Sequence, residues 1–206
     1  MIVNPEIERY MLGLLPLRDE VLAEMEEVAA RRNVPIIGPT VARILAQLVM
    51  ATGAKRIFEL GSAFGYSTIW LARAAGKNAE VHYTDGSPDN AREAQRYFDR
   101  AGVSSVIQVH VGDALASLAQ VRGEFDLIFN DVDKEGYPLV LETVPPRLKT
   151  GGLFVTDNTL WHEAILNPRE PSDKAVANFN QKLYNLSQFF TTLLPIRDGV
   201  CVSLKL

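Results

Sequence analysis

Apolar positions along this chain recur first in a helical rhythm and then in short blocks. Residues 6–32 predict a helix in which, after Pro16, Leu17, Val21, Leu22, Met25, Val28 and Ala29 fall on one face among acids. Arg31-Arg32 closes it at the negative end of the helix dipole. Pro35, Gly38 and Pro39 punctuate, and Thr40 to Met50 carries a second apolar face (Val41, Ile44, Leu45, Leu48, Val49) that stops near Gly53. From residue 55 the pattern alternates. Strands are expected at 55–60, 80–84, 106–111, 125–129 and 153–156, with Asp126 a half-exposed strand-start residue. Helices are expected at 66–75, at 88–101, from Asp113 to about Gln120, and from Tyr137 to Leu148, where Pro145-Pro146 distorts the last turn. The tail reads as a polar loop at 162–172, a helix at 173–187, and a hairpin of Phe189 to Leu194 and Val200 to Leu204 around Arg197-Asp198-Gly199. Alternating strands and helices imply an α/β fold with a mostly parallel sheet, its ligands at the strands' C-terminal ends. The first helices then cover the ligand site or form an oligomer interface.

Composition narrows this reading. With 206 residues, 47% of them apolar, the chain fills one domain: a helical cap at 1–53 and a core at 54–206. The net charge of −4 comes from interspersed acids and bases, with no basic stripe for a nucleic acid. The single Cys201 excludes an internal disulfide framework and reads as a small buried hydrophobe. No apolar run approaches the roughly 18 residues of a membrane span. The stretch from Met1 to Glu6 lacks the basic and apolar regions of a signal peptide, so a cytoplasmic protein is expected.

The chain is organised around Ile57-Phe58-Glu59-Leu60-Gly61-Ser62-Ala63-Phe64-Gly65-Tyr66-Ser67-Thr68, a strand, a glycine turn and a helix start. Gly61 and Gly65 permit positive φ and a close backbone approach by a ligand. A dinucleotide turn would read G-x-G-x-x-G. Here Glu59 precedes Leu60-Gly61, and a carboxylate suits an ammonium better than a pyrophosphate. The next strand ends at Asp85, where an acid can accept both hydroxyls of a ribose. One acid for an amine and one for a ribose point to S-adenosylmethionine. The plainer alternative is a generic strand–turn–helix with surface carboxylates.

Two later strands end in acids: Asn130-Asp131-Val132-Asp133-Lys134-Glu135-Gly136-Tyr137 and Asp157-Asn158-Thr159-Leu160-Trp161. If those strands are neighbours, Asp131, Asp157 and Asn158 converge as a hard-oxygen set without Cys or His. Such a set suits Mg²⁺, Mn²⁺ or Ca²⁺; solvated strand-end acids are the alternative. Lys134, on the Asp131 loop, is a candidate general base, because a nearby cation disfavours an ammonium. Trp161 suits either the acceptor pocket or ordinary packing. His82, His110 and His162 are scattered and suggest no catalytic triad.

On these motifs the chain resembles the cation-dependent O-methyltransferases of the catechol and caffeoyl-CoA type. Glu59-Leu60-Gly61 through Ser67 resembles their first cofactor motif, and Asp131-Val132-Asp133-Lys134 with Tyr137 their D-x-D-K-x-x-Y loop. Leu148 through Trp161 resembles their L-K-x-G-G…D-N-x-L-W segment; Phe179-Asn180 and Leu194 through Gly199 also fit. The resemblance spans roughly residues 36–204. It implies a Rossmann-like class I methyltransferase fold: a mostly parallel seven-stranded sheet with a C-terminal antiparallel hairpin and helices on both faces. It implies S-adenosylmethionine contacts from Glu59, Gly61, Ser62, Ser67, Asp85, Asp113, Ala114 and Asp131. It also implies a metal at Asp131, Asp157 and Asn158, catalysis by Lys134 with Asp131, a small phenolic acceptor and a homodimer. Asp85 stands where many relatives have Glu, Thr150 replaces a common Pro, and the N-terminal segment is shorter than in plant members. The competing readings are a cation-independent methyltransferase, a non-catalytic S-adenosylmethionine-binding protein, and a nicotinamide-dependent oxidoreductase. The missing G-x-G-x-x-G speaks against the last.

Overall fold

Strand residues alternate between two hydrophobic cores, and that alternation builds the fold. The structure is a computed structural model that describes residues 4–206; Met1 to Val3, part of the N-terminal reading above, lie outside the described residues. β1 (Arg56–Leu60), β2 (Glu80–Asp85), β3 (Ile107–Val111), β4 (Phe125–Asn130), β5 (Leu148–Thr156), β6 (Phe189–Leu194) and β7 (Val200–Lys205) form one sheet in the order β3-β2-β1-β4-β5-β7-β6. The first five strands pair in parallel, and β7 runs antiparallel to both β5 and β6. The sheet is therefore the expected seven-stranded, mostly parallel one with a C-terminal hairpin.

Ile57, Leu127, Phe129 and Val155 turn to one face, while Phe58, Ile128 and Phe154 turn to the other. This is the period-two consequence of the pleat. The helices are α1 (Pro5–Gly13), α2 (Glu20–Arg32), α3 (Gly38–Thr52), α4 (Tyr66–Ala75), α5 (Pro88–Ala101), α6 (Ala114–Gln120), α7 (Tyr137–Thr143) and α8 (Pro171–Asn185). α2 to α5 supply the first core through Met25, Leu45, Ile69 and Phe98. α6 to α8 supply the second through Leu118, Tyr137 and Phe179. A large apolar side chain buried this fully stabilises by about 1.5–3 kcal/mol. Among the described residues no helix is long and apolar enough to cross a membrane.

The structure corrects the expected elements in three places. The helix expected at 6–32 is two helices, because Pro16 cannot donate to the ladder and Asp19 opens α2 by accepting from Val21 N–H at 3.1 Å. The helix expected to reach Leu148 ends at Thr143; Pro145–Arg147 forms a single 3₁₀ turn and β5 already begins at Leu148. A Cβ on Gly152 would meet Lys149 O at 2.8 Å and Asp126 O at 3.0 Å, so glycine lets β5 follow the register shift in β4. Within the loop expected at 162–172, Trp161–Leu166 forms short 3₁₀ turns broken by a kink at His162 and Glu163, and α8 starts at Pro171. Asp126 is the half-exposed strand-start residue expected, and it also bonds to both neighbouring strands. It accepts from the N–H groups of Lys55 (2.9 Å) and Arg56 (2.8 Å) and from Lys149 Nζ (2.6 Å), tying three strands together.

Candidate active site

Strand order reverses at β1, whose neighbours β2 and β4 lead the chain to opposite sides. Ligands of open α/β sheets bind at that point, beyond the strands' C-terminal ends. A cleft of about 1230 Å³ opens there, walled by the ends of β1, β2, β4 and β5, by α2 and by the 33–37 segment. Of the expected site residues, Gly61, Ser62, Ser67, Asp85, Asp113, Ala114, Asp131, Lys134, Asp157 and Asn158 all line it.

Glu59 is brought beside the cleft and not into its wall. It is fully buried beneath the glycine turn and accepts a hydrogen bond from the Thr68 hydroxyl. Burial pushes its carboxyl up to about 7, against the opposing pull of the Ser67, Thr68 and Ser62 hydroxyls. The turn is pinned to β2: Ser62 N donates to Thr84 O at 2.9 Å, and Gly61 N to the Thr84 hydroxyl at 3.1 Å. Gly61 and Gly65 have φ of 80° and 89°. Their need for glycine includes packing, since a Cβ would meet Asp131 O at 2.7 Å and Phe98 Cε1 at 2.5 Å respectively.

At the next strand end, Asp85 Oδ1 accepts from Ser87 N (2.8 Å) and Asn90 Nδ2 (3.0 Å), which fixes its carboxylate at the cleft edge. Asp113 caps α6 by accepting from Ala116 N at 2.7 Å.

β4 and β5 are neighbours, so their last residues meet. Asp131 N donates to Leu60 O at 2.8 Å and Asp157 N to Asn130 O at 3.1 Å, placing the two acids on adjacent strand ends. Burial first, and then the Asp131 charge, raises the Asp157 carboxyl well above the usual range. Burial also raises Asp131, opposed chiefly by Lys134. Asp157 Oδ1 is buried with no hydrogen-bond donor among the described residues. An orphaned acceptor beside a second acid is what a hard cation would satisfy. Among the described residues no group of three or more His, Cys, Asp or Glu is arranged for a metal, so such an ion would rely on the Asn158 amide as its third protein oxygen. Asn158 has φ 54°, and Trp161, His162 and Glu163 are also left-handed; strain of this kind gathers at functional loops.

Lys134 is buried, and its Nζ donates to Asp131 Oδ1 and to Val132 O, both at 3.2 Å. The Tyr137 and Trp161 ring centroids lie 5.0 and 5.5 Å from Nζ. Tyr137 Oη donates to Asp157 O at 2.7 Å, and Trp161 Nε1 to Asp173 at 3.1 Å. Trp161 thus both lines the cleft and packs.

Sequence reasoning left Glu26, Tyr66, Arg197 and Asp198 out of the site, although all line the cleft. Tyr66 Oη donates to Glu26 at 2.7 Å, joining α2 to α4. Arg197 and Asp198 belong to the hairpin turn, and only the pairing of β7 with β5 reveals their nearness to the acids. Away from the site, His82 Nδ1 lies 2.8 Å from His110 Nε2 and its Nε2 2.7 Å from Glu80. Burial lowers both histidines, consistent with packing on β2 and β3.

Comparison with known proteins agrees with this fold. The O-methyltransferase family pattern matches residues 16–206. A catechol O-methyltransferase of Niastella koreensis is 34% identical over 185 residues, covering 86% of this chain and 84% of the relative. One from Mycobacterium tuberculosis is 31% identical over 176 residues, covering 84% and 80%. The crystal structure of an O-methyltransferase from Bacillus cereus in complex with SAH superposes with a TM-score of 0.88 at 29% identity, covering 98% of this chain and 97% of that one.

Proposed function

The chain belongs to the O-methyltransferase family, and on that premise we propose that it methylates a hydroxyl of a catechol-like or vicinal-diol phenol, using S-adenosylmethionine and a divalent cation. The observation that carries the reading is the pairing of Asp131 with Asp157, one of whose oxygens lacks a donor, in the same cleft as Ser62, Ser67 and Asp85.

Gly61, Ser62 and Ser67 would hold the amino-acid end of the cofactor, Asp85 its ribose hydroxyls, and Asp113 and Ala114 the far side of the cleft. Glu59 supports the turn from beneath. S-adenosylmethionine, when bound, would supply an electrophilic methyl group to the acceptor oxygen, with its sulfur leaving as a neutral thioether. A divalent cation held by Asp131, Asp157 and Asn158 would supply Lewis acidity at the acceptor hydroxyl, with Mg²⁺ the best fit and Mn²⁺ or Ca²⁺ possible substitutes. Lys134, once neutral, takes the hydroxyl proton at Nζ, and the Tyr137 and Trp161 rings shield that nitrogen from water.

One observation favours a second reading. Lys134 already pairs with Asp131, so part of the acid charge is compensated without a cation. Methylation that survives chelation would select this cation-independent form. The test of the main reading is an acceptor screen by mass spectrometry with S-adenosylmethionine and Mg²⁺. Vicinal diols should gain one methyl group while matched mono-phenols stay unmodified; equal methylation of both would refute the vicinal-diol preference.

A further inference from the structure

The turn between β6 and β7 carries a cation in an unusual setting. Arg197 has φ 50°, a left-handed conformation that a non-glycine residue adopts at a cost. The turn is nevertheless fixed on both sides of it. Gly199 N donates to Ile196 O at 2.9 Å, Leu160 N to Asp198 O at 2.8 Å and Thr159 N to Gly199 O at 3.0 Å. These bonds lock Arg197 to the segment that follows Asn158.

The guanidinium reaches across to the start of α3. Its NH1 donates to Ile36 O at 2.9 Å, and a Cβ on Gly38 would lie 2.6 Å from that nitrogen, so glycine there makes its room. That is its one side-chain hydrogen bond among the described residues, and it has no carboxylate within ion-pair reach among them. Lys134 and Arg197 are the Lys and Arg side chains of the cleft wall among the described residues, and Lys134 is buried against Asp131. The nearby Asp198 accepts from His162 N–H at 2.6 Å through Oδ1, while its Oδ2 is buried without a donor among the described residues. An exposed guanidinium fixed at the mouth of an otherwise acidic cleft, with donors to spare, matches a planar carboxylate in a bidentate fork.

We propose that Arg197 is a specificity residue that binds a carboxylate carried by the acceptor, so that the preferred substrate is a vicinal-diol phenol bearing a free carboxylate. This rests on the methyl-transfer reading above. The alternative is that Arg197 only latches the turn to the 36–38 segment.

The test compares 3,4-dihydroxybenzoate with its methyl ester, in turnover with S-adenosylmethionine and Mg²⁺ and in calorimetric binding with S-adenosylhomocysteine and Mg²⁺. The wild type should favour the carboxylate by about tenfold to a hundredfold, the range for a charge-assisted hydrogen bond. That ratio should collapse toward one in Arg197→Gln and return only in part in Arg197→Lys, which restores the charge but not the planar fork. A wild type indifferent to the carboxylate overturns the proposal without any variant. So does a loss in Arg197→Gln that is equal for acid and ester, the mark of a latch. A carboxylate preference in binding with no methyl transfer to any acceptor supports Arg197 and refutes the methyl-transfer reading instead.

Discussion

Asp157 holds one carboxylate oxygen without a donor, and burial together with the Asp131 charge keeps its proton on above the usual range. A carboxyl raised by folding contributes stability that is fully present below its unfolded value and is lost as pH rises through the folded one. The protein without metal should therefore lose stability as pH climbs out of the ordinary carboxylate range toward neutrality. Cation binding requires both acids ionised, so Mg²⁺ should restore what the rising pH removes. At a hundredfold excess over its dissociation constant Mg²⁺ would add about 2.7 kcal/mol. For a chain of this size that is roughly 5–10 °C in Tm. Differential scanning fluorimetry should show this gain near about pH 8 and little of it near about pH 5, below the ionisation of the raised acids. Asp157→Asn should abolish it. An Mg²⁺ shift of the same size at both pH values would show that these acids do not hold the ion. Lys134 makes a separate claim. Lys134→Ala should lower kcat by roughly 10²–10⁴-fold, and raising pH toward the phenol's own ionisation near about 10 should partly restore it. A deficit independent of pH would leave Lys134 as a positioning residue.

Among the elements, the β1–α4 turn controls the site, and its glycines separate packing from backbone conformation. A Cβ on Gly65 would sit 2.5 Å from Phe98 Cε1 with φ at 89°, whereas Gly102, φ 68°, has nothing within 4 Å. Gly65→Ala should thus cost about 2–4 kcal/mol, overpacking added to a left-handed backbone, and Gly102→Ala only about 1–2 kcal/mol. Urea unfolding of the two variants measures the difference; equal losses would mean that α5 gives way freely. The periodic elements were legible in the sequence because each buries one face: Ile57, Phe58 and Leu60 announce β1, and the strands that follow repeat the signal. The acids at the ends of β4 and β5 were legible once those strands were taken as neighbours. The break at Pro16 was hidden by the apolar residues Leu14, Leu15 and Leu17 around it, which lie between α1 and α2. Arg197 was hidden for a different reason: its nearness to Asp131 depends on the return of β7 beside β5, a pairing 40 or more residues apart in sequence that no local pattern carries.

For the molecule as a whole, α1 has no buried residue, and Tyr10, Leu14 and Leu17 are 68%, 66% and 97% exposed. We propose that the homodimer implied by the family resemblance covers these apolar side chains. Sedimentation at micromolar concentration should give twice the chain mass, and Tyr10→Glu with Leu14→Glu should give one; a monomeric wild type would contradict the dimer. The central claim is that the cleft performs cation-assisted methyl transfer, and one measurement addresses it most directly. Transfer from S-adenosylmethionine to a catechol acceptor is followed after exhaustive EDTA and again after Mg²⁺ is returned, for the wild type and for Asp157→Ala. The wild type should fall by about a hundredfold or more in EDTA, in line with several kcal/mol from the ion, and recover fully with Mg²⁺. Asp157→Ala should stay inactive throughout while still binding S-adenosylmethionine. Undiminished turnover in EDTA by both proteins would contradict the account and return Asp131 and Asp157 to the role of buried strand-end acids.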